Sequence, residues 1–169
     1  ETRKVGYTFP WVRPPLDVYR LLPVPSLDGL DASYRLHLGE VTNTVRVNAG
    51  RTDANLVSGG SVAARGSWGV SNTTEYGPLA VRATYEYTSM TIEPLNVFFD
   101  AFRQFGPQGI AIADRYDSRN KPTHFMAVGA SYDPGNWFGM AEWGRNDSNS
   151  SFGSSTAWWV TRPALVLKR

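Results

Sequence analysis

The sequence predicts an all-β chain, an antiparallel up-and-down β-barrel whose strands cross a membrane. Three observations predict it. Residues 79–87, LAVRATYEY, put Leu79, Val81, Ala83, Tyr85 and Tyr87 on one side and Ala80, Arg82, Thr84 and Glu86 on the other. That period of two belongs to an extended strand with one apolar and one polar face. The connections between such segments alternate in length, long then short, along the whole chain. No stretch approaches the ~18 consecutive apolar residues that a membrane helix needs.

The strands follow in order from alternation and turn chemistry. The first, about 3–12, carries Val5, Tyr7, Phe9 and Trp11 on one face. LDASYRLHL (30–38) sets Leu30, Ala32, Tyr34, Leu36 and Leu38 against Asp31, Ser33, Arg35 and His37. Gly39-Glu40 turns the chain into 41–50, where Val45, Val47 and Ala49 oppose Thr44, Arg46 and Asn48. SVAARGSWGV (61–70) places Val62, Ala64, Trp68 and Val70 against Arg65 and Ser67, and the strand opening at Leu79 runs to about 92. THFMAVGASY (123–132) turns at Asp133-Pro134-Gly135-Asn136 into WFGMAEWGR (137–145), and TAWWVTR (156–162) ends the series. These are about eight strands in a single partial barrel domain, 1–169.

Short connections fall at 39–40, 72–78 and 133–136, and long ones at 13–29, 51–60, 93–122 and 146–155. A meander so built has every short turn at one end and every long loop at the other. Outer-membrane barrels show this lopsidedness, with short periplasmic turns and long external loops. Segments of about 9–11 residues also suit a tilted membrane strand. Trp68, Tyr85, Tyr87, Tyr132, Trp137 and Trp143 sit near strand ends, where aromatic girdles meet the lipid headgroups. Within 93–122, LNVFFDAFRQF (95–105) spaces Leu95, Phe98, Phe99, Phe102 and Phe105 as a short helix, with Pro94 in its first turn and Gly106-Pro107 as its stop. Its Phe stripe is expected to pack on the barrel mouth or wall, with a lumenal constriction as the alternative.

Composition limits the function classes. The 169 residues suffice for one domain, and 41% hydrophobic content with mean hydropathy −0.33 fits a soluble protein or a strand-built membrane protein equally. The absence of cysteine removes disulfides, thiolate metal sites and cysteine nucleophiles. A net charge of +2, with basic residues scattered singly, offers no nucleic-acid patch. The first residues, ETRKVGYTFPW, lack a signal peptide and open on an apparent strand, so the chain is expected to be a fragment. His37 and His124 lack a partner at interpretable spacing, and no enzymatic role is expected. DRYD (114–117) lacks the ligand alternation of a calcium loop, and no metal or cofactor is expected. Asn146-Asp147-Ser148 and Asn149-Ser150-Ser151 match a glycosylation sequon and read as an external loop, while Arg13 in WVRPP reads as a solvated loop base.

Three phrases carry a resemblance: VGYTFPWVRPPLDVY (5–19), DGLDASYRL (28–36) and YDPGNWFGMAEWG (132–144). They resemble Gram-negative outer-membrane porins, in particular a proteobacterial branch of porin-like proteins. The resemblance implies a barrel of about sixteen strands, of which this chain would supply half. It further implies a water-filled channel for passive diffusion of small hydrophilic solutes or ions, outer-membrane lipids as partners, and a homotrimer. The chain lacks the acidic-Phe-Gly-Gly phrase of the constriction loop and ends in ALVLKR without a closing aromatic. On the strand register, Asp31, Arg35, Arg46, Arg65, Arg82, Glu86 and Glu142 are expected to line the pore. Four of those seven are arginine, which predicts a weak anion preference. The rival reading is a soluble lipocalin-type barrel burying Leu79, Val81 and Tyr85 around an apolar ligand.

Overall fold

Gly39 and Gly77 take φ of +62° and +54°, the left-handed conformation that two-residue hairpin turns demand. Each reverses a long strand in a computed structural model that describes residues 27–55, 60–148, 153–161 and 164–165. The strands are β1 (Asp28–Leu38), β2 (Val41–Asn55), β3 (Ser61–Tyr76), β4 (Leu79–Ile92), β5 (Lys121–Tyr132), β6 (Trp137–Ser148), β7 (Ser155–Val160) and the two-residue β8 (Ala164–Leu165). Between β4 and β5 lie α1 (Glu93–Phe102), a 3-10 turn (Arg103–Phe105) and α2 (Gly106–Tyr116).

Strands β1 to β7 form one antiparallel sheet in sequence order, and β8 pairs with the start of β6. The sheet is an open meander: among the described residues, the outer edges of β1 and β7 stay unpaired. The expected strand at 3–12 and Arg13 lie outside the described residues. The connections keep the expected lopsidedness, at 39–40, 77–78 and 133–136 on one end and 56–60, 93–120 and 149–154 on the other.

Several boundaries differ from expectation because cross-strand pairing carries strands past their alternating stretch. Residues 72–76 extend β3 rather than turning, since Asn72 and Thr74 find side-chain partners on β2. Asn43 Nδ2 donates to Asn72 Oδ1 at 3.1 Å and to Thr74 Oγ1 at 2.8 Å, and Asn72 Nδ2 donates back to Asn43 Oδ1 at 3.0 Å. Residues 51–55 likewise lengthen β2, and Asn146-Asp147-Ser148, expected in a loop, ends β6 by pairing with β5.

Opposed residues of an antiparallel pair share a face, so the register divides the sheet. One face carries Leu30–Ala49–Trp68–Tyr87, Tyr34–Val45–Asn72–Ala83–Val128–Trp143–Trp158 and Leu38–Val41–Tyr76–Leu79–Tyr132 as successive rows. The other carries Arg35–Thr44–Thr73–Arg82–Gly129–Glu142–Trp159 and Asp31–Asn48–Gly69–Glu86–Phe125–Asn146.

Helix α1 touches β3 at the long-loop end, and no extended second layer of described residues lies against either face. The large apolar residues of the first face are exposed, Leu30 at 83%, Tyr34 at 68% and Trp158 at 71%. On the second face Ser67, Thr88, Thr123, Phe125, Ala127 and Trp159 are buried. An uncovered sheet hides side chains only where it curves over them, so the polar face is the concave one. Phe125, Ala127 and Trp159, with Met140 and Ala157 against them, form a small apolar cluster inside that curve.

The loop between β4 and β5 is more structured than a single helix. Pro107 does not stop it: Gly106, at φ +76°, resets the chain and Pro107 opens α2, a position where its missing N–H costs nothing. Gly109 is buried against α1, where a Cβ would overlap the Phe102 carbonyl oxygen. The Phe stripe is split. Phe99 stacks on Tyr116 with centroids 5.9 Å apart, whereas Phe98 and Phe105 are exposed rather than packed on a wall.

Candidate functional site

The concave face holds a cavity of about 280 Å³ spanning β3 to β6. Arg82, Gly129 and Glu142 are opposed across β4, β5 and β6 and all line it; with no side chain at Gly129 the gap between them is filled only in part, by the Glu142 Cγ 3.5 Å from where a Cβ would stand. Phe125, Met140 and Ala127 give the gap apolar walls, and Glu86, one turn of the pleat beyond Arg82 and Thr84 on β4, borders it. Trp159 Nε1 donates to Glu142 Oε2 at 3.0 Å, holding that carboxylate from the β7 side.

Six of the seven residues expected to line a pore share this face. Asp31 and Arg46 form a cross-strand ion pair at 2.6 Å, and Arg35 Nε donates to Thr44 Oγ1 at 3.2 Å. Arg82, Glu86 and Glu142 gather at the cavity. Arg65 is the exception. β3 holds Arg65 and Gly66 where β2 holds Arg51 alone, and the register slips in the same place against β4. Gly66, at φ +59°, is the extra residue of a β-bulge. The phase of the alternation therefore changes across it. Arg65 opposes Ser89 on the apolar side, and Ala64 and Val62 turn to the polar one.

That correction changes the charge count. Between the short turns and the row of Asp31 and Glu86, the described polar face carries Arg35, Arg46 and Arg82 against Asp31, Glu75, Glu86 and Glu142. Glu75 joins this wall because residues 72–76, expected to turn, extend β3. The excess of arginine expected from the sequence is absent from this wall.

The aromatics expected at strand ends all stand on the apolar face. Trp68, Tyr85 and Tyr87 meet His124 toward the long-loop end, Trp68 and Tyr85 with centroids 5.4 Å apart and Tyr85 OH hydrogen-bonded to His124 Nδ1 at 2.7 Å. Tyr132 and Trp137 meet at 5.2 Å beside the short turn. Trp143 pairs across β6 with Trp158. Between the two groups the face is almost wholly apolar over nine residues of β1 and β4, Leu30–Leu38 and Leu79–Tyr87. Nine residues span ~27 Å along a strand at ~3.3 Å per residue. Beyond them the same face turns charged, with Asp28, Arg51 and Arg65. His37, on the polar face, bonds to Thr42 Oγ1 at 3.0 Å, so the two histidines stand on opposite faces.

At the long-loop end a charge cluster ties the helices together. Arg103 bonds Asp114 at 2.5 Å and Asp100 at 3.2 Å, and Arg119 bonds Asp100 and reaches Asp117 at 3.2 Å. The carboxylates of DRYD are thereby engaged by arginine. The Arg119 guanidinium, with Arg103 beside it, holds the Asp100 carboxyl below its ordinary range. No family profile, curated protein or solved structure matches this chain.

Proposed function

We propose that this sheet is part of the wall of an outer-membrane, porin-like channel for passive diffusion of small hydrophilic solutes or ions. One observation carries the reading: from β1 to β5 the exposed face is an apolar band with aromatics at both margins, broken on β6 by the Arg145–Asp147 ion pair, while the concave face carries charges along its whole width. A closed barrel built from such strands meets lipid with its outside and water with its inside. The open edges of β1 and β7 are where further strands would join, since unpaired backbone groups are not tolerated in hydrocarbon. The porin resemblance supports the same reading and extends it to a homotrimer.

The Asn43–Asn72–Thr74 group sits inside the apolar band without contradicting it. Their amide and hydroxyl groups bond to one another, which removes most of the cost of facing lipid. The lipocalin alternative fits poorly, because it needs Leu79 and Val81 turned inward around a ligand. Both stand on the exposed face, each at 40%, and the cavity lies on the opposite side.

Planar-bilayer conductance of the full-length polypeptide tests the proposal. Stable ohmic steps, with a reversal potential showing no anion preference, are the expected result. A chain that stays soluble and monomeric without detergent, and never conducts, overturns it.

A further inference from the structure

We propose that the gap between Arg82 and Glu142 is a binding subsite for a small zwitterion with an apolar side chain, an α-amino acid such as leucine. The proposal rests on the channel reading above and adds the class of solute that the wall recognises. Arg82 is a cation of the cavity wall without a salt bridge. Arg46 is paired with Asp31 and Arg35 rests on Thr44, but Arg82 has no side-chain hydrogen bond or ion pair among the described residues. Glu86 makes no side-chain hydrogen bond or salt bridge among them but lies in the field of Arg82, and Glu142 is held at one oxygen by Trp159.

The geometry matches a molecule that carries both charges. Arg82 and Glu142 are two strands apart, about 10 Å between their Cα atoms at the ~4.8 Å strand spacing. Both side chains line the cavity beside Gly129, where the Glu142 Cγ lies 3.5 Å from the place a Cβ would take. A carboxylate fits the guanidinium fork, and an ammonium group fits Glu142 or Glu86. Phe125 and Met140 then offer apolar surface for a side chain. A cavity of about 280 Å³ lies just below the ~300–1,000 Å³ range of small-molecule pockets, so the solute is small. A lone ammonium ion would leave the Arg82 guanidinium without a hydrogen-bonding partner, and a lone carboxylate would leave Glu142 without a counter-charge. A channel site must also release its solute, so binding in the range of about 1–10 mM is expected.

The test uses the full-length polypeptide in planar bilayers, each current normalised to that of the same channel without added solute. The probes are L-leucine, glycine, isoamylamine (the ammonium alone) and isovalerate (the carboxylate alone). Leucine should reduce the open current saturably, with glycine, isoamylamine and isovalerate each at least about tenfold weaker. Gly129→Leu, which fills the gap, should abolish leucine block. Arg82→Gln and Glu142→Gln should each raise the half-blocking concentration about tenfold, the latter keeping an acceptor for Trp159. Open channels that leucine leaves untouched overturn the subsite while the channel reading stands, as does leucine block unaltered in all three variants. Equal block by isoamylamine overturns the zwitterion assignment in favour of a cation site. If no channel opens at all, the underlying channel reading fails and the subsite falls with it.

Discussion

At Gly66 one residue decides where an arginine points. Its φ of +59° lets β3 absorb an extra residue, and every residue on the N-terminal side of it changes face relative to simple alternation. Arg65→Ala should therefore leave the reversal potential in a salt gradient unchanged. Arg82→Ala, which removes a guanidinium from the concave face, should shift it toward cations. Comparable shifts from both would place Arg65 back in the lumen. Gly66→Val forces a β-branched residue into the left-handed region, at a cost of about 1–2 kcal/mol, read as a lower midpoint of denaturant unfolding. The alternation around Arg65 misled because periodicity assumes an unbroken strand. A glycine inside a strand, flanked by apolar residues that fall out of step, was the available signal.

Among the elements, the loop helices and the central strands make separate predictions. α1 and α2 are held by Phe99 on Tyr116, by the Asn96 side chain accepting from the Ser118 backbone N–H at 3.0 Å, and by the Arg103–Arg119 charge cluster. Asp100 has a lowered pKa in the folded chain, caused first by its hydrogen bond from Arg119, so it stabilises the folded loop only while ionised. That contribution is fully present above the ordinary value of 3.8 and is lost as pH falls below it through the folded pKa. Proteolysis or hydrogen exchange at 93–118 should accelerate below about pH 4, and Asp100→Asn should give the fast rate at neutral pH. An equal rate in Asp100→Asn and the parent at neutral pH would remove the cluster from any structural role. In the sheet, Val128 lies mid-band on the apolar face, 50% exposed. Val128→Arg should cost about 2–4 kcal/mol of membrane stability and block assembly, measured as loss of the heat-modifiable folded band on a gel. Ser71→Arg puts the same charge on the concave face and should assemble. The second helix is not legible in the sequence, because Gly106-Pro107 suits a helix stop as well as a helix start. Only the docking of Gly109 beneath Phe102 distinguishes the two.

For the whole molecule, the distribution of charge and apolar surface between two faces of one curved sheet is the main physical fact. Three arginines stand against four carboxylates between the short turns and the row of Asp31 and Glu86, and Lys121 on the same face beyond that row evens the count, so a full-length channel should show no anion preference. The weak anion preference expected from the sequence depended on Arg65 and on not counting Glu75. A permeability ratio clearly favouring chloride over potassium would show that the wall beyond these strands dominates the field.

Local pattern suffices for the centres of β1 to β7, for the turns at 39–40 and 133–136 and for the end at which the long connections gather, though not for where β2, β3 and β6 stop. Those follow from local rules, the period of two, glycine at positive φ and proline at a first helical turn, and each is written in adjacent residues. It also separated an apolar from a polar side in LAVRATYEY and LDASYRLHL, but could not say which side was covered. Only the tertiary structure decided that the polar side is concave, that Asn72 and Thr74 belong to β3 because Asn43 answers them, and that Arg82, Gly129 and Glu142 line one gap. These depend on register between strands tens of residues apart. Register is a property of pairs of strands, and no local pattern encodes a pair.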